Sequence, residues 1–189
     1  MEPKQILAPF DEQTVAHLRA GDMVEISGVL YGARDAAHKR LVAAIERGQP
    51  LPVLLAGQVI YYVGPAPAKP GHAVGPAGPT TSGRMDPYTL PMLRQGVKGF
   101  IGKGYRSPAV KGALVKYRAV YLAAVGGAAA LLARRIKAGR VLAYSDLGPE
   151  AIREFTVEKF PAIVVNDMYG GDAYAEGRAA WANPAAGEG

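Results

Sequence analysis

The sequence contains no cysteine. Disulfides are therefore excluded, and so is any zinc or iron–sulfur site built from this chain's own thiolates. Histidine is scarce, at positions 17, 38 and 72 only, which disfavours an imidazole-rich metal site as well. No metal ligand set is expected in the chain, and any metal the function needs must come from elsewhere. Long hydrophobic runs are also missing. The most apolar stretch, 119–133, is rich in alanine and glycine and ends at Arg134 and Arg135. It falls short of the ~20 residues needed to cross a bilayer. The first residues, Met1-Glu2-Pro3-Lys4-Gln5, lack the basic-then-apolar layout of a secretion signal. The expectation is a soluble, cytoplasmic protein with no membrane partner.

Acidic residues are outnumbered, giving a net charge of +6 and a pI near 9.5. Such a balance suits nucleic acid, an anionic surface or an anionic small substrate. The bases are scattered, however, and no basic stripe is interleaved with aromatics, which argues against nucleic acid. A solvated basic surface accounts for most of these charges.

What the chain does have is an alternation of strand and helix patterns. Helices are expected at 11–20, from Asp35 to Gly48, and at 88–95, 109–117 and 128–136. Strands are expected at 22–30, 59–63, 97–101, 120–124, 141–144 and 162–166, with another at 152–157. Asp35 reads as the N-cap of its helix. This alternation predicts an α/β fold. Residues 1–175 read as one domain, and 176–189, which collapses to small and polar residues around one tryptophan, as a disordered tail. One segment departs from the pattern. Residues 64–83 carry Pro65, Pro67, Pro70, Pro76 and Pro79 among five glycines. Such a stretch forms neither a core helix nor a central strand. It reads as a functional loop with little core to dock on, hence mobile when the chain is alone.

Four short segments concentrate the polar residues that could do chemistry. Arg34-Asp35-Ala36-Ala37-His38 opens a helix, and Thr80-Thr81-Ser82-Gly83-Arg84 ends the proline-rich loop. Gly102-Lys103-Gly104 follows a strand, and Gly126-Gly127 precedes a helix. Arg34 and Arg84 can each offer a fork of donors to a carboxylate. Lys103, between glycines, can reach over a pocket. His38 lies one turn after Arg34 on the same face. It could orient a catalytic group, or it could be an ordinary hydrogen-bonded helix histidine. The residues alone imply an α/β domain that binds anions.

The strings Gly32-Ala33-Arg34-Asp35-Ala36-Ala37-His38, Ile60-Tyr61-Tyr62-Val63-Gly64-Pro65, Gly78-Pro79-Thr80-Thr81-Ser82-Gly83-Arg84-Met85-Asp86 and Ile101-Gly102-Lys103-Gly104 carry a resemblance. So do Val125-Gly126-Gly127-Ala128-Ala129-Ala130-Leu131 and Asp146-Leu147-Gly148-Pro149-Glu150-Ala151-Ile152. Together they resemble the β subunit of class I, iron–sulfur fumarate hydratases, a family that includes the L-tartrate dehydratase β subunit. The resemblance runs from about residue 5 to residue 174 in family order. It implies a swivelling β/β/α fold and reversible hydration of fumarate to L-malate. It also implies a partner α subunit that holds a [4Fe–4S] cluster on three cysteines, in an α2β2 assembly, with a homodimer when the chain is isolated. Arg34 and Arg84 match residues that bind the substrate carboxylates, with Thr81 beside them. Thr80 matches the proposed base, and Lys103 a lysine that reaches the substrate. Asp35, His38, Gly126 and Gly127 are supporting candidates. The Tyr-Tyr-Val-Gly-Pro string favours fumarate over tartrate, and a stand-alone dicarboxylate-binding module is the remaining alternative.

Overall fold

Strands of this chain are short apolar runs that give way at once to glycine or other small residues and then to helix-forming segments. Such alternation favours parallel pairing with helical crossovers. The computed structural model describes residues 2–182. In chain order it contains β1 (Lys4–Ala8), α1 (Glu12–Ala16), β2 (Met23–Gly32), α2 (Asp35–Glu46), β3 (Val59–Tyr61) and α3 (Asp86–Arg94). There follow β4 (Gly99–Gly102), α4 (Pro108–Tyr117), β5 (Val120–Ala123), α5 (Ala129–Arg135), β6 (Ile136–Ala143), β7 (Ile152–Asn166) and α6 (Ala173–Trp181). Short 3-10 segments occupy Ser82–Met85 and Ser145–Glu150.

Strands β2, β3, β4 and β5 lie side by side in parallel. β7 runs antiparallel to both ends of this row. It pairs with β5 at Leu122↔Val164, and with β2 from Met23↔Ile163 to Gly32↔Arg153. The sheet therefore closes on itself as a five-stranded barrel. β1 extends β2 in parallel, and β6 extends β7 antiparallel.

Closure buries both faces of the parallel strands, which is why they read as unbroken apolar runs rather than as alternating ones. Val59 and Tyr61 of β3 point into the barrel with Leu30, Ile101, Leu122, Phe155 and Phe160. Ile60 and Tyr62 point outward, beneath Leu41 of α2, Met92 and Leu93 of α3, and Leu114 of α4. Two barrel walls and one helical layer make the β/β/α arrangement. Each fully buried phenyl ring or branched side chain here contributes roughly 1.5–3 kcal/mol. Among the described residues no helix is long and apolar enough to cross a membrane.

Several local expectations need correction. Asp35 is not the N-cap of α2. Arg34 holds that position, without a side-chain cap bond, and Asp35 is the first helical residue. Its carboxylate is drawn away by Arg84. The strands expected at 152–157 and 162–166 are one strand, β7, which passes Lys159 at φ 49° without breaking. β1 and α6 were not anticipated. β1 is half exposed, with Leu7 at 71 %, so its alternation gives a weak signal. Of the segment 176–189 read as a tail, residues up to Trp181 belong to α6, and 183–189 lie outside the described residues.

The proline-rich loop does have a core to dock on. Val74 and Ala77 are buried in the barrel cluster. The Tyr61 hydroxyl donates to Ala77 O at 2.6 Å, and Ala77 N–H donates to Ala129 O at 3.1 Å.

Candidate active site

In sheets of this kind, ligand-binding loops gather at the carboxyl ends of the parallel strands. The candidate residues lie there. Arg34 follows β2, Thr80 and Thr81 return from the loop after β3, Lys103 follows β4, and Gly126 and Gly127 follow β5.

Backbone hydrogen bonds fix the middle of this group. The chain leaves β3, makes its excursion, and comes back at Thr80 to lie between the ends of β3 and β4. Thr80 N–H donates to Tyr62 O at 2.7 Å, Lys103 N–H donates to Thr80 O at 3.2 Å, and Ser82 N–H donates to Lys103 O at 2.8 Å. Thr81 and Lys103 thus form an isolated parallel bridge. The fit depends on Gly102, because a Cβ there would sit 2.0 Å from Ser82 Oγ. Thr80 is buried at 7 % exposure, whereas the side chains of Thr81 and Lys103 are exposed. Lys103 arches past Gly126, where a Cβ would come within 3.6 Å of its Cδ. Gly127 has open space around it at φ 84°.

The second half of the group is a chain of ion pairs around the first turn of α2. Arg84 forks onto Asp35, with Nε–Oδ1 at 3.0 Å and Nη2–Oδ2 at 2.7 Å. Arg34 Nη2 lies 2.9 Å from Glu150 Oε1, while Glu150 Oε2 accepts from Ala36 N–H at 2.8 Å. The Arg34 guanidinium passes close to Gly64, where a Cβ would come within 2.9 Å of its Cζ. Gly64 is two residues beyond Tyr62, whose carbonyl holds Thr80, so the two halves adjoin. Arg34 and Arg84 are thus paired with Glu150 and Asp35, and Lys103 is a third cation on these loops. Among the described residues no carboxylate lies within salt-bridge reach of Lys103.

His38 sits behind Arg34 and is fully buried. Its Nδ1 is 2.9 Å from Arg34 O. A carbonyl only accepts, so Nδ1 carries the proton and Nε2 is bare. Among the described residues Nε2 is buried without a partner. Burial pushes the imidazole down to about 4, against a smaller upward pull from the Arg34 carbonyl. The ring is neutral near pH 7 and packs edge-on against Tyr62, with centroids 5.4 Å apart. His38 thus anchors the backbone that carries Arg34 and does not face the open side of the site.

Two contributors escaped the sequence reading. Glu150 lies 114 positions from its partner Ala36 and follows no spacing rule. Arg106, with its side chain fully buried, ties α3 to the sheet. Nε donates to Asp86 Oδ1 at 2.7 Å, Nη1 to the Tyr62 hydroxyl at 3.1 Å, and Nη2 to Thr89 Oγ1.

The family model described as Fumarase C-terminus matches residues 5–177. The chain belongs to this family. Among its relatives, Fumarate hydratase 2 of Leishmania major is 40% identical over 172 residues, covering 89% of this chain and 30% of the relative. Fumarate hydratase class I, aerobic, of Escherichia coli K12 is 38% identical over 173 residues, 90% of this chain and 31% of the relative. A Methanocaldococcus jannaschii protein, described provisionally as an L(+)-tartrate dehydratase subunit beta, is 35% identical over 171 residues, 87% of this chain and 88% of the relative. The chain thus spans about a third of the first two proteins and most of the third.

The donor set of this fumarase C-terminal domain does not fit an iron–sulfur cluster. The sequence has no thiolate, and among the described residues no three histidine or acidic side chains converge as metal ligands.

Proposed function

We propose that the chain is the β-type part of a hydro-lyase that interconverts fumarate and L-malate. In this reading it contributes the grip on the dicarboxylate and the proton-transfer group, and a partner α chain holds the [4Fe–4S] cluster. The observation that carries the reading is that Arg34, Thr80, Arg84 and Lys103 all belong to the loops at the carboxyl end of the parallel strands. Three cations on the loops that hold a buried threonine suit a substrate with two carboxylates. The names of the relatives support the reaction class. The two-chain arrangement is supported by the relative named as a subunit beta, most of which this chain spans. An α2β2 assembly and a cytoplasmic location complete the reading. Gel filtration and cell fractionation test them.

Within this reading Arg34 and Arg84 bind the two carboxylates and fix the carbon skeleton. A threonine hydroxyl is a very poor base on its own. Proton abstraction by Thr80 requires that its alkoxide form beside cations in a site closed to water. In this reading Lys103, whose backbone N–H donates to Thr80 O and whose ammonium has no acidic partner among the described residues, supplies that field. Thr80→Ala is expected to lower kcat by a factor of about 100 or more with KM changed less than about threefold. Unchanged turnover would remove Thr80 from the reaction.

The decisive experiment is anaerobic co-expression with the candidate α chain, followed by assays on fumarate and tartrate in parallel. Activity on fumarate, present only in the complex, is the expected result. Activity on tartrate alone would assign the chain to tartrate dehydration, the reading favoured by the Methanocaldococcus relative. Dicarboxylate binding without any α partner would leave a stand-alone binding module.

A further inference from the structure

We infer that Glu150 is a positioning residue for Arg34, setting the angle at which that guanidinium meets a substrate carboxylate. The inference rests on the proposed role of Arg34. It starts from a question of cause, since an ion pair alone does not say which partner holds the other.

Here the geometry answers. Glu150 ends the 3-10 segment Ser145–Glu150, which is fastened to α2 by contacts that do not involve Arg34. Arg40, in the middle of α2, forks onto Asp146 at 2.8 and 2.7 Å. The Arg40 guanidinium also covers the Tyr144 ring, 4.9 Å from its centroid. Ala36 N–H takes Glu150 Oε2. Leu147 packs into the helical-layer cluster, and the next residues, Ala151 and Ile152, are buried. The Glu150 carboxylate is therefore in place before Arg34 reaches it.

Arg34 has no comparable restraint. It precedes the first helical residue, in extended backbone at φ −141°, and its long side chain could sweep a wide arc. Two contacts confine it, the close approach of Gly64 and Glu150 Oε1 at Nη2. Glu150 meets Arg34 at Nη2, as an ion pair at 2.9 Å. Among the described residues Nε is buried without a hydrogen-bond partner, so it lies on the closed side of the guanidinium. Because Nε is buried, the edge left for a carboxylate is formed by Nη1 and the second N–H of Nη2, and the Glu150 and Gly64 contacts together set its direction. That is the arrangement a bidentate carboxylate contact requires. Substrate binding then costs little side-chain entropy, because the rotamer is already chosen.

The test is a double-mutant cycle in the complex with its α chain, reading KM and kcat for fumarate. Variants are Glu150→Ala, Glu150→Gln, Arg34→Ala and the double Glu150→Ala/Arg34→Ala. Glu150→Ala is expected to raise KM about tenfold while kcat changes less than about threefold. Glu150→Gln keeps the length and an acceptor for Ala36 N–H but loses the charge, and is expected to raise KM by about three- to fivefold. In the Arg34→Ala background, Glu150→Ala is expected to change KM by less than about twofold, because the residue it positions is gone. A merely structural role would instead act equally in both backgrounds. Equal effects in the two backgrounds, or wild-type KM in both Glu150 variants, would overturn the inference while leaving the role of Arg34 intact. Unchanged KM in Arg34→Ala would remove the carboxylate clamp itself, and the inference with it. Should Glu150→Ala fail to fold, Glu150→Gln alone and with Arg34→Ala completes the same cycle.

Discussion

Arg106 and Arg34 carry the same side chain and lie near the same end of the barrel, yet the fold treats them in opposite ways. Arg106 is sealed in, and each of its three nitrogens meets an oxygen of Asp86, Tyr62 or Thr89. Arg34 keeps 29% of its side chain exposed, pairs with Glu150 through one nitrogen and, among the described residues, leaves Nε without a partner. Arg84 is more open still, at 55%. A saturated guanidinium is a structural tie. An unsaturated one at a sheet's carboxyl end has capacity left for something the chain does not contain.

The comparison can be broken or sharpened by measurement, and the largest effect belongs to Arg106. Arg106→Met should destabilise the protein by about 3–5 kcal/mol, because Asp86, Tyr62 and Thr89 lose a buried partner. In a thermal melt this is a fall of about 10 °C or more for a chain of this size. A loss below about 1 kcal/mol would show that saturation does not mark a structural role.

His38 comes next. Its pKa is about 4 in the folded chain, against 6.5 when unfolded. Between those values the unfolded state binds more protons, so stability is complete above pH 6.5 and is lost as pH falls towards 4. The full loss is about 3 kcal/mol. Urea midpoints at pH 7 and pH 4.5 should differ less in His38→Gln than in wild type, and equal differences would refute the assignment. The smallest effect is reserved for the open arginines. Arg84→Ala should alter stability by about 1 kcal/mol or less, since its pair with Asp35 is solvent-screened. In the complex its fumarate KM should nevertheless rise, by about tenfold or more.

The α/β class was legible because β2 to β5 and the helices after them follow simple periodicities. Glycines just past the strand ends marked where loops would gather. The barrel was not legible. It depends on β7 pairing with β2 and β5 at once, a matter of register between segments far apart in sequence. Reading 152–157 and 162–166 separately followed from the polar residues between them, which face solvent without ending the strand. At the site, Arg34, Thr80, Lys103 and Arg84 stood out as polar residues beside glycine turns. Glu150 and Arg106 did not, since a carboxylate in a turn and an arginine before Ser107 look like surface residues until their partners are known. Asp35 failed for a related reason. A local capping rule was outweighed by a guanidinium 49 positions away.

The pairing of β2 with β7 also sets an order of events. Met23 finds Ile163, and Gly32 finds Arg153, only after nearly all of the chain is available. Until then β2 has an open edge facing water, the kind of surface that invites pairing with the wrong strand. Contacts so distant in sequence carry a large loop-closure cost before they return anything, which slows folding. During synthesis the barrel stays unlatched until β7 emerges, and a chain cut before residue 152 would lack the strand that closes it.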